Sequence, residues 1–246
     1  MGGWVMADEA ATTYYAIINQ LTEGHEYLRE ILNAKPRVAW HIDPFGHSKA
    51  TPELFALAGF DALVGNRINY ALKNELKKTQ GMEMVWEGDM PVNGHRSRLF
   101  FHLLDSHYSS PAGFDFEGWS WAPPPPDITP ATVKAKAEEL ADILKERAAW
   151  YKTPNLLIPL GDDFKFKNAT AEFYNWDQLM AFFKEHGSDY GINMQYAVLS
   201  DYIKAVHDEN TTWPLFQDDF MPYADDDHAF WTGYYSSRPK IKGQIR

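Results

Sequence analysis

The chain has 246 residues, 45% of them hydrophobic, so it is long enough to fold around a substantial buried core. Its formal net charge of −11 argues against a nucleic-acid partner, which requires clustered Lys and Arg. Cysteine is absent, so cysteine-bound zinc is excluded and any metal must be bound by His, Asp or Glu. No apolar run approaches the ~20 residues of a membrane span, and no signal peptide is recognisable at the start. We therefore expect no membrane segment.

Short apolar runs alternate along the chain with segments of helical periodicity. Six runs are predicted as strands: residues 4–6, 38–42, 62–65, 99–103, 156–160 and 195–198. Five segments are predicted as helices: residues 13–32, 52–58, 131–151, 176–185 and 199–206. This alternation predicts an α/β fold, either a barrel or a doubly wound sheet, with functional groups at the carboxyl ends of buried parallel strands.

The helix predicted over residues 131–151 has the clearest pattern. Its apolar residues recur at three- and four-residue steps, and its other face is charged. Thr129 is the predicted N-cap, with Pro130 in the first turn. One face of this helix is therefore expected to pack against the core.

A carboxylate follows the predicted strand at residues 38–42. Asp43 comes directly after this apolar run and begins the segment Asp-Pro-Phe-Gly-His-Ser, at a position where α/β enzymes place catalytic groups. An aspartate before proline also commonly forms a turn, so a purely structural role is equally open.

The same arrangement recurs at two further predicted strand ends. Asp162 and Asp163 follow the run at residues 156–160, and like charges buried together favour protonation of one carboxyl, which can then act as a general acid. A solvated aspartate pair that caps the following helix is the alternative. Arg67 lies just beyond residues 62–65, where it can orient a carboxylate, bind sugar hydroxyls or simply form an ion pair.

Two carboxylates presented by different strands are the minimal set for glycoside hydrolysis, in which one attacks the anomeric carbon and the other protonates the leaving oxygen. Aromatic residues make up 15% of the chain, and their faces commonly pack against sugar rings, although most of them are expected in the core.

Four stretches resemble successive blocks of the class II α-mannosidases, which form glycoside hydrolase family 38, and they occur in the family's order. They are GGWVMADEA (residues 2–10), AWHIDPFGHS (39–48), NLLIPLGDDFKF (155–166) and FWTGYYSSRP (230–239). The similarity covers almost the whole chain, is least clear from about residue 90 to residue 127, and is closer to the lysosomal and Golgi branch than to the cytosolic branch.

The resemblance implies specific roles for five residues. Asp43 matches the family's nucleophile, which is also a zinc ligand, and Asp163 matches its general acid and base. Asp162 matches a residue that contacts the sugar, and Arg67 matches an arginine near the nucleophile. Tyr108 matches a tyrosine of the site.

The resemblance also implies a fold, a cofactor and a partner. The fold is an irregular (β/α) barrel, incomplete at both ends, with residues 1–246 forming the central part of the N-terminal catalytic domain. The cofactor is zinc, whose other ligands in the family come from segments that we expect outside this chain, because Asp43 alone does not hold an ion that takes about four ligands. His47 is close in sequence to Asp43 but matches no ligand of the family.

The implied activity is retaining hydrolysis of terminal α-mannosides in N-glycans or oligosaccharides, in the secretory pathway or the lysosome. One alternative is a metal-dependent polysaccharide deacetylase, although the His-x-x-x-His ligand pair of that class is missing. The other alternative is a fragment without catalysis of its own.

Overall fold

A mixed five-stranded sheet organises one part of the chain, and helices organise the other. The computed structural model describes residues 2–92 and 95–245. The chain divides into two units: unit 1 comprises Met1–Asp105 and Asn210–Arg246, and unit 2 comprises Ser106–Glu209. The helices Val133–Ala148, Thr170–Tyr190 and Leu199–Asp208 belong to unit 2, and the other helices and all the named strands belong to unit 1.

The elements follow one another in the order α1 (Tyr14–Leu32), β1 (Val38–His41), α2 (Thr51–Leu57), β2 (Ala62–Gly65), α3 (Tyr70–Lys78), β3 (Glu83–Val92), β4 (His95–Leu103), α4 (Val133–Ala148), α5 (Thr170–Tyr190), α6 (Leu199–Asp208), β5 (Leu215–Phe216), α7 (Gly233–Ser236) and α8 (Pro239–Ile245). None of the helices in the described residues is long and apolar enough to cross a membrane.

The sheet of unit 1 has the strand order β1-β2-β4-β3-β5. Strands β1, β2 and β4 are parallel neighbours, whereas β3 and β4 form an antiparallel pair. His41 at the end of β1 pairs with Gly65 at the end of β2. The residues two positions beyond each strand, Asp43 and Arg67, therefore leave the sheet at the same edge.

Apolar and aromatic side chains bury this sheet. All four residues of β2 are buried, as expected for a strand covered on both faces. The rings of Trp86, Phe101 and Phe220 lie 5.0–5.3 Å from one another, and Trp86 donates its indole N–H to the carbonyl of Asp218 at 2.8 Å. The residues after β5 are thereby fixed against the sheet.

In unit 2, α4 and α5 pack around a separate core. It contains Ala137, Leu140 and Ala141 from α4, and Trp176, Leu179 and Phe183 from α5. Because the buried residues of α4 recur at three- and four-residue steps, the predicted packing face is confirmed. The N-cap prediction is wrong by one turn: the cap is Thr132, whose hydroxyl accepts a hydrogen bond from the Thr129 N–H at 2.9 Å.

The α/β class is confirmed, and strands form at three of the six predicted runs, namely 38–42, 62–65 and 99–103. The runs 4–6, 156–160 and 195–198 are not strands. Runs 156–160 and 195–198 lie in unit 2, all of whose residues are described. This unit contains no strand with which they could pair, and its β-structure is limited to an isolated bridge between Trp119 and Ala122. The barrel, incomplete at both ends, and the single-domain assignment remain predictions.

The five predicted helices all form, with shifted ends, and the prediction over 176–185 covers only part of α5. Helices α3, α7 and α8 and strands β3 and β5 were not predicted. Helix α3 has no buried residue, so it lacks the apolar stripe on which such a prediction depends.

Candidate active site

Asp43 and Arg67 form an ion pair at the carboxyl edge of the sheet. Arg67 Nε and one terminal nitrogen donate to Asp43 Oδ1 at 2.8 and 2.6 Å. The Arg67 side chain is 11% exposed, whereas that of Asp43 is 40% exposed. The nearly buried and permanently charged guanidinium of Arg67 thus orients the solvent-accessible carboxylate of Asp43.

Aromatic rings surround the Arg67 guanidinium. Its central carbon lies 5.1–5.6 Å from the ring centroids of Phe45, Tyr223 and Trp231, within the range of cation–π attraction. Phe45 in turn contacts the Trp231 ring at 4.8 Å. The three aromatic rings and the Asp43 carboxylate therefore fix the orientation of the guanidinium.

The turn after Asp43 requires a glycine. Gly46 has a φ of +91°, and a Cβ atom there would lie 2.8 Å from Met221 Sδ and 2.9 Å from the Phe220 carbonyl oxygen. Its N–H donates to the Arg67 carbonyl at 3.1 Å. The backbone of this turn is therefore held against the residues just after β2 and against the segment after β5.

A second carboxylate, Glu9, lies beneath this turn and is almost completely buried. Its Oε1 bonds to His41 Nε2 at 2.8 Å and to His47 Nδ1 at 2.9 Å, while Oε2 accepts from the Ser48 N–H and the Thr51 hydroxyl. We call these five residues the Glu9 network. Burial alone would raise the pKa of Glu9, but the charge of His47 and the hydrogen bonds from both imidazoles outweigh it and hold the pKa below its ordinary value.

Within residues 2–92 and 95–245, the only group of three or more side chains with metal-ligand atoms close together is Glu9, His41 and His47. Their ligand atoms lie within 4.8 Å of one another. Zinc needs ligand atoms with lone pairs free for the ion, but both oxygens of Glu9 already accept two hydrogen bonds each. Asp43 is not a member of this group. The structure therefore offers no second group of ligands beside Asp43 within the described residues, and zinc coordination by Asp43 stays a prediction.

In unit 2, Asp163 contacts Tyr108 and Asp162 contacts His107. The Tyr108 hydroxyl donates to Asp163 Oδ1 at 3.1 Å. Asp162 Oδ1 accepts the Asp163 N–H at 2.7 Å and bonds to His107 Nε2 at 3.2 Å. The structure thus brings together Tyr108, Asp162 and Asp163, three of the predicted site residues.

The two aspartates are not buried together at a strand end, as the sequence pattern suggested. Asp163 is exposed, the Asp162 side chain is 19% exposed, and the residues before them form no strand. Because the Asp162 carboxylate bonds to the next N–H in the chain, part of its role is to shape the loop. The expectation of a buried like-charged pair is therefore wrong for this structure.

Two acidic residues hold the loop that bears Asp163 (residues 161–168). Lys165 pairs with Asp115 at 2.7 Å, and its side chain is only 4% exposed. Glu117 accepts the consecutive N–H groups of residues 166–168 at 2.5–3.3 Å. These contacts fix a loop that has no strand to support it.

Sequence patterns do not single out three residues that contact the predicted ones, two in unit 1 and one in unit 2. Glu9 and Trp231 lie inside two of the family-like blocks, so the resemblance marked their segments but gave them no role. His107 precedes Tyr108, in the stretch where the resemblance is least clear. Partners of these residues are distant in sequence, for example 32 residues between Glu9 and His41, and local patterns do not reveal such contacts.

The family model described as the glycosyl hydrolases family 38 N-terminal domain matches residues 1–226. The chain belongs to glycosyl hydrolase family 38. The family predicted from the four sequence blocks is therefore confirmed, and the match includes Asp43, Arg67, Tyr108, Asp162 and Asp163.

Curated alpha-mannosidases match the full length of the chain. It is 40% identical to the epididymis-specific alpha-mannosidase of Homo sapiens, 38% identical to the lysosomal alpha-mannosidase of Dictyostelium discoideum and 34% identical to alpha-mannosidase 2 of Rattus norvegicus. All of the chain aligns with each of them, but it covers only 26%, 24% and 24% of their lengths. The chain thus spans about a quarter of these relatives.

A solved alpha-mannosidase structure supports the fold. The crystal structure of an alpha-mannosidase from Enterococcus faecalis V583 has a TM-score of 0.62, covers 89% of this chain and is 16% identical in sequence. This chain covers 22% of that protein. At this level of identity the similarity shows the fold alone.

Proposed function

We propose that the chain forms part of the catalytic domain of a retaining exo-α-mannosidase, with Asp43 as nucleophile and Asp163 as general acid and base. The substrates are terminal α-mannosides of N-glycans or oligosaccharides. The observation that carries the proposal is the Asp43–Arg67 ion pair, which presents a reachable carboxylate at the position that matches the family's nucleophile.

In the first step, an oxygen of Asp43 forms a bond to the anomeric carbon while the glycosidic C–O bond breaks. The leaving oxygen takes the proton of the Asp163 carboxyl. The product is a mannosyl ester of Asp43, together with the released alcohol. Before attack, the two hydrogen bonds from Arg67 orient Asp43 Oδ1, and Tyr108 orients the Asp163 carboxyl.

In the second step, Asp163 acts as a base. Its carboxylate takes a proton from water, the water oxygen bonds to the anomeric carbon, and the ester bond to Asp43 breaks. Asp43 regains its carboxylate and Asp163 its proton. Two displacements at one carbon return the mannose with its original α configuration.

We further propose that zinc is the cofactor, that the irregular barrel is the complete fold, and that the protein acts in the secretory pathway or the lysosome. Zinc would bind sugar hydroxyls and steady the nucleophile. Support for zinc comes from the family; Asp43 is the one ligand proposed within the chain. Support for the compartment comes from the relatives' names, which include a lysosomal and an epididymis-specific enzyme.

The proposal is tested by comparing the 246-residue chain with the longest polypeptide that its gene encodes. Both are assayed for zinc content and for hydrolysis of p-nitrophenyl α-mannoside, and NMR identifies the anomer released first. We expect the longest form to bind zinc and to release α-mannose. If the longest form binds zinc but does not hydrolyse the mannoside, the deacetylase-like alternative gains support. If only the 246-residue chain is inactive, it is a fragment without catalysis of its own.

Arg67→Lys is expected to lower kcat/KM for this mannoside by roughly 10²-fold, the usual cost of a small misplacement of a reacting group. Lysine cannot donate from two fixed nitrogens to Asp43, and it loses the planar contacts with Phe45 and Trp231. Arg37→Lys is the matched control, because Arg37 pairs in the same way with Asp61 but both side chains are more than half exposed. An equal loss in both variants would contradict a specific role for Arg67.

A further inference from the structure

The turn that carries Asp43 begins and ends at histidines that contact one carboxylate. His41 is the last residue of β1, and His47 lies four residues beyond Asp43. Their ring nitrogens bond to the same oxygen of Glu9, at 2.8 and 2.9 Å, and the two ring centroids are 5.7 Å apart. Glu9 therefore connects the two ends of this turn.

The other oxygen of Glu9 extends the connection to the next helix. Oε2 accepts the Ser48 N–H and the hydroxyl of Thr51, the first residue of α2. One side chain thus joins the end of β1, the turn after it and the start of α2. Hydrogen bonds to a buried carboxylate are about twice as strong as neutral ones, so this connection is stiff.

Glu9 also fixes the orientation of both imidazole rings. An ionised carboxylate only accepts hydrogen bonds, so His41 must carry its proton on Nε2 and His47 must carry one on Nδ1. In the described part of the chain, His41 Nδ1 and His47 Nε2 are buried and have no hydrogen-bond partner. The contact with Glu9 therefore determines how each ring is turned.

We propose that Glu9 is a positioning residue for Asp43. By holding both ends of the turn, it keeps the Asp43 carboxylate at hydrogen-bonding distance from Arg67, in the orientation from which Asp43 attacks the anomeric carbon. The expected effect on kcat rests on the proposed function, whereas the expected effect on the position of Asp43 relative to Arg67 does not. Glu9 itself touches neither Arg67 nor Asp43 in the contacts described above, and it acts through His41, His47 and the backbone between them.

The test is Glu9→Gln in the longest polypeptide that the gene encodes. Glutamine keeps the size of the side chain, but its NH₂ group cannot accept from Ser48 or Thr51. We expect kcat for p-nitrophenyl α-mannoside to fall by about 10²-fold. KM should change by less than about threefold, because the groups that bind the sugar are untouched.

A second readout does not depend on activity. The NMR signal of the Arg67 Nε–H reports its hydrogen bond to Asp43, and we expect it to shift in Glu9→Gln. Glu83→Gln is the matched control, since Glu83 is equally buried and bonds to a histidine ring, His102, at 3.1 Å. In this control, kcat and the Arg67 signal should both stay as in the wild type.

Thr51→Val serves if Glu9→Gln does not fold. It removes one hydrogen bond from Oε2 and keeps the carboxylate, so we expect kcat to fall by about tenfold, with a smaller shift of the Arg67 signal. Unchanged kcat and an unchanged Arg67 signal in folded Glu9→Gln or Thr51→Val would overturn the proposal. Equal losses in Glu83→Gln would overturn it too, since they would indicate general destabilisation. A wild-type protein that hydrolyses no mannoside refutes the proposed function, but the Arg67 signal still tests the position of Asp43.

Discussion

Asp43→Asn is expected to lower kcat/KM for α-mannosides by about 10⁴-fold or more, because the variant has no nucleophile to form the mannosyl ester. A carboxamide does not displace an alcohol from the anomeric carbon, and it also loses the ion pair with Arg67. The measurement is hydrolysis of p-nitrophenyl α-mannoside by the longest polypeptide that the gene encodes, with intact-mass analysis for the absence of a covalent mannosyl adduct.

The matched control for this variant is Asp61→Asn. Asp61 precedes β2 and accepts two hydrogen bonds from Arg37, which precedes β1. The control therefore removes the aspartate of another Asp–Arg pair in the same unit. Both side chains of this pair are more than half exposed, and we expect activity within about twofold of the wild type. Residual activity above about a tenth in Asp43→Asn would contradict the assignment of the nucleophile.

Asp163→Asn is expected to lower hydrolysis of unactivated mannosides by about 10²–10⁴-fold, the usual contribution of a general acid or base. A dinitrophenyl mannoside should lose far less in its first step, because its leaving group needs no proton. Added azide should then restore turnover by attacking the mannosyl ester without base assistance, and α-mannosyl azide should accumulate. Comparing the two substrates with and without azide measures both roles of Asp163.

Asp177→Asn is the matched control for this second variant. Asp177 accepts a hydrogen bond from the Tyr196 hydroxyl at 3.1 Å, the same distance at which Asp163 accepts one from Tyr108. We expect it to hydrolyse both substrates as the wild type does. Full activity of Asp163→Asn on an unactivated mannoside, or equal losses on both substrates without rescue by azide, would refute the acid and base role.

The part of the site around Asp43 was accessible to sequence reasoning because its supports are local. Strands β1 and β2 are short buried apolar runs, and each is followed at the same offset by a charged residue. Parallel pairing in register then brings Asp43 and Arg67 together. The register in which His41 pairs with Gly65 is what joins these two predicted site residues in an ion pair.

The surroundings of Asp163 show the opposite case. Residues 156–160 are as apolar as the strands of unit 1, yet a strand exists only where another strand pairs with it, and unit 2 has none to offer. The loop is instead held by Lys165 and Glu117, whose partners are 47–51 residues away. Hydrophobic periodicity is a local pattern, so it does not reveal contacts between residues this far apart in the sequence.

Strand β3 was missed because it buries acidic residues. Glu83 and Glu87 interrupt its apolar pattern, but both are buried and paired, Glu83 with His102 and Glu87 with Arg98. A buried carboxylate is tolerated where a partner on the neighbouring strand forms a hydrogen bond or an ion pair with it. Glu9 was missed for the same reason, since its partners come from another segment of the chain.

The two Asp–Arg pairs also act on strand alignment. Arg37 and Asp61 pair just before β1 and β2, and Asp43 and Arg67 pair just after them, with the order of acid and base reversed. Each strand has only four residues, so backbone pairing alone specifies their alignment weakly. A slip by one residue would move one strand by about 3.3 Å and break both ion pairs at once. The charges that flank these strands therefore favour a single alignment, and the Asp43–Arg67 ion pair is itself one of the two contacts that support it.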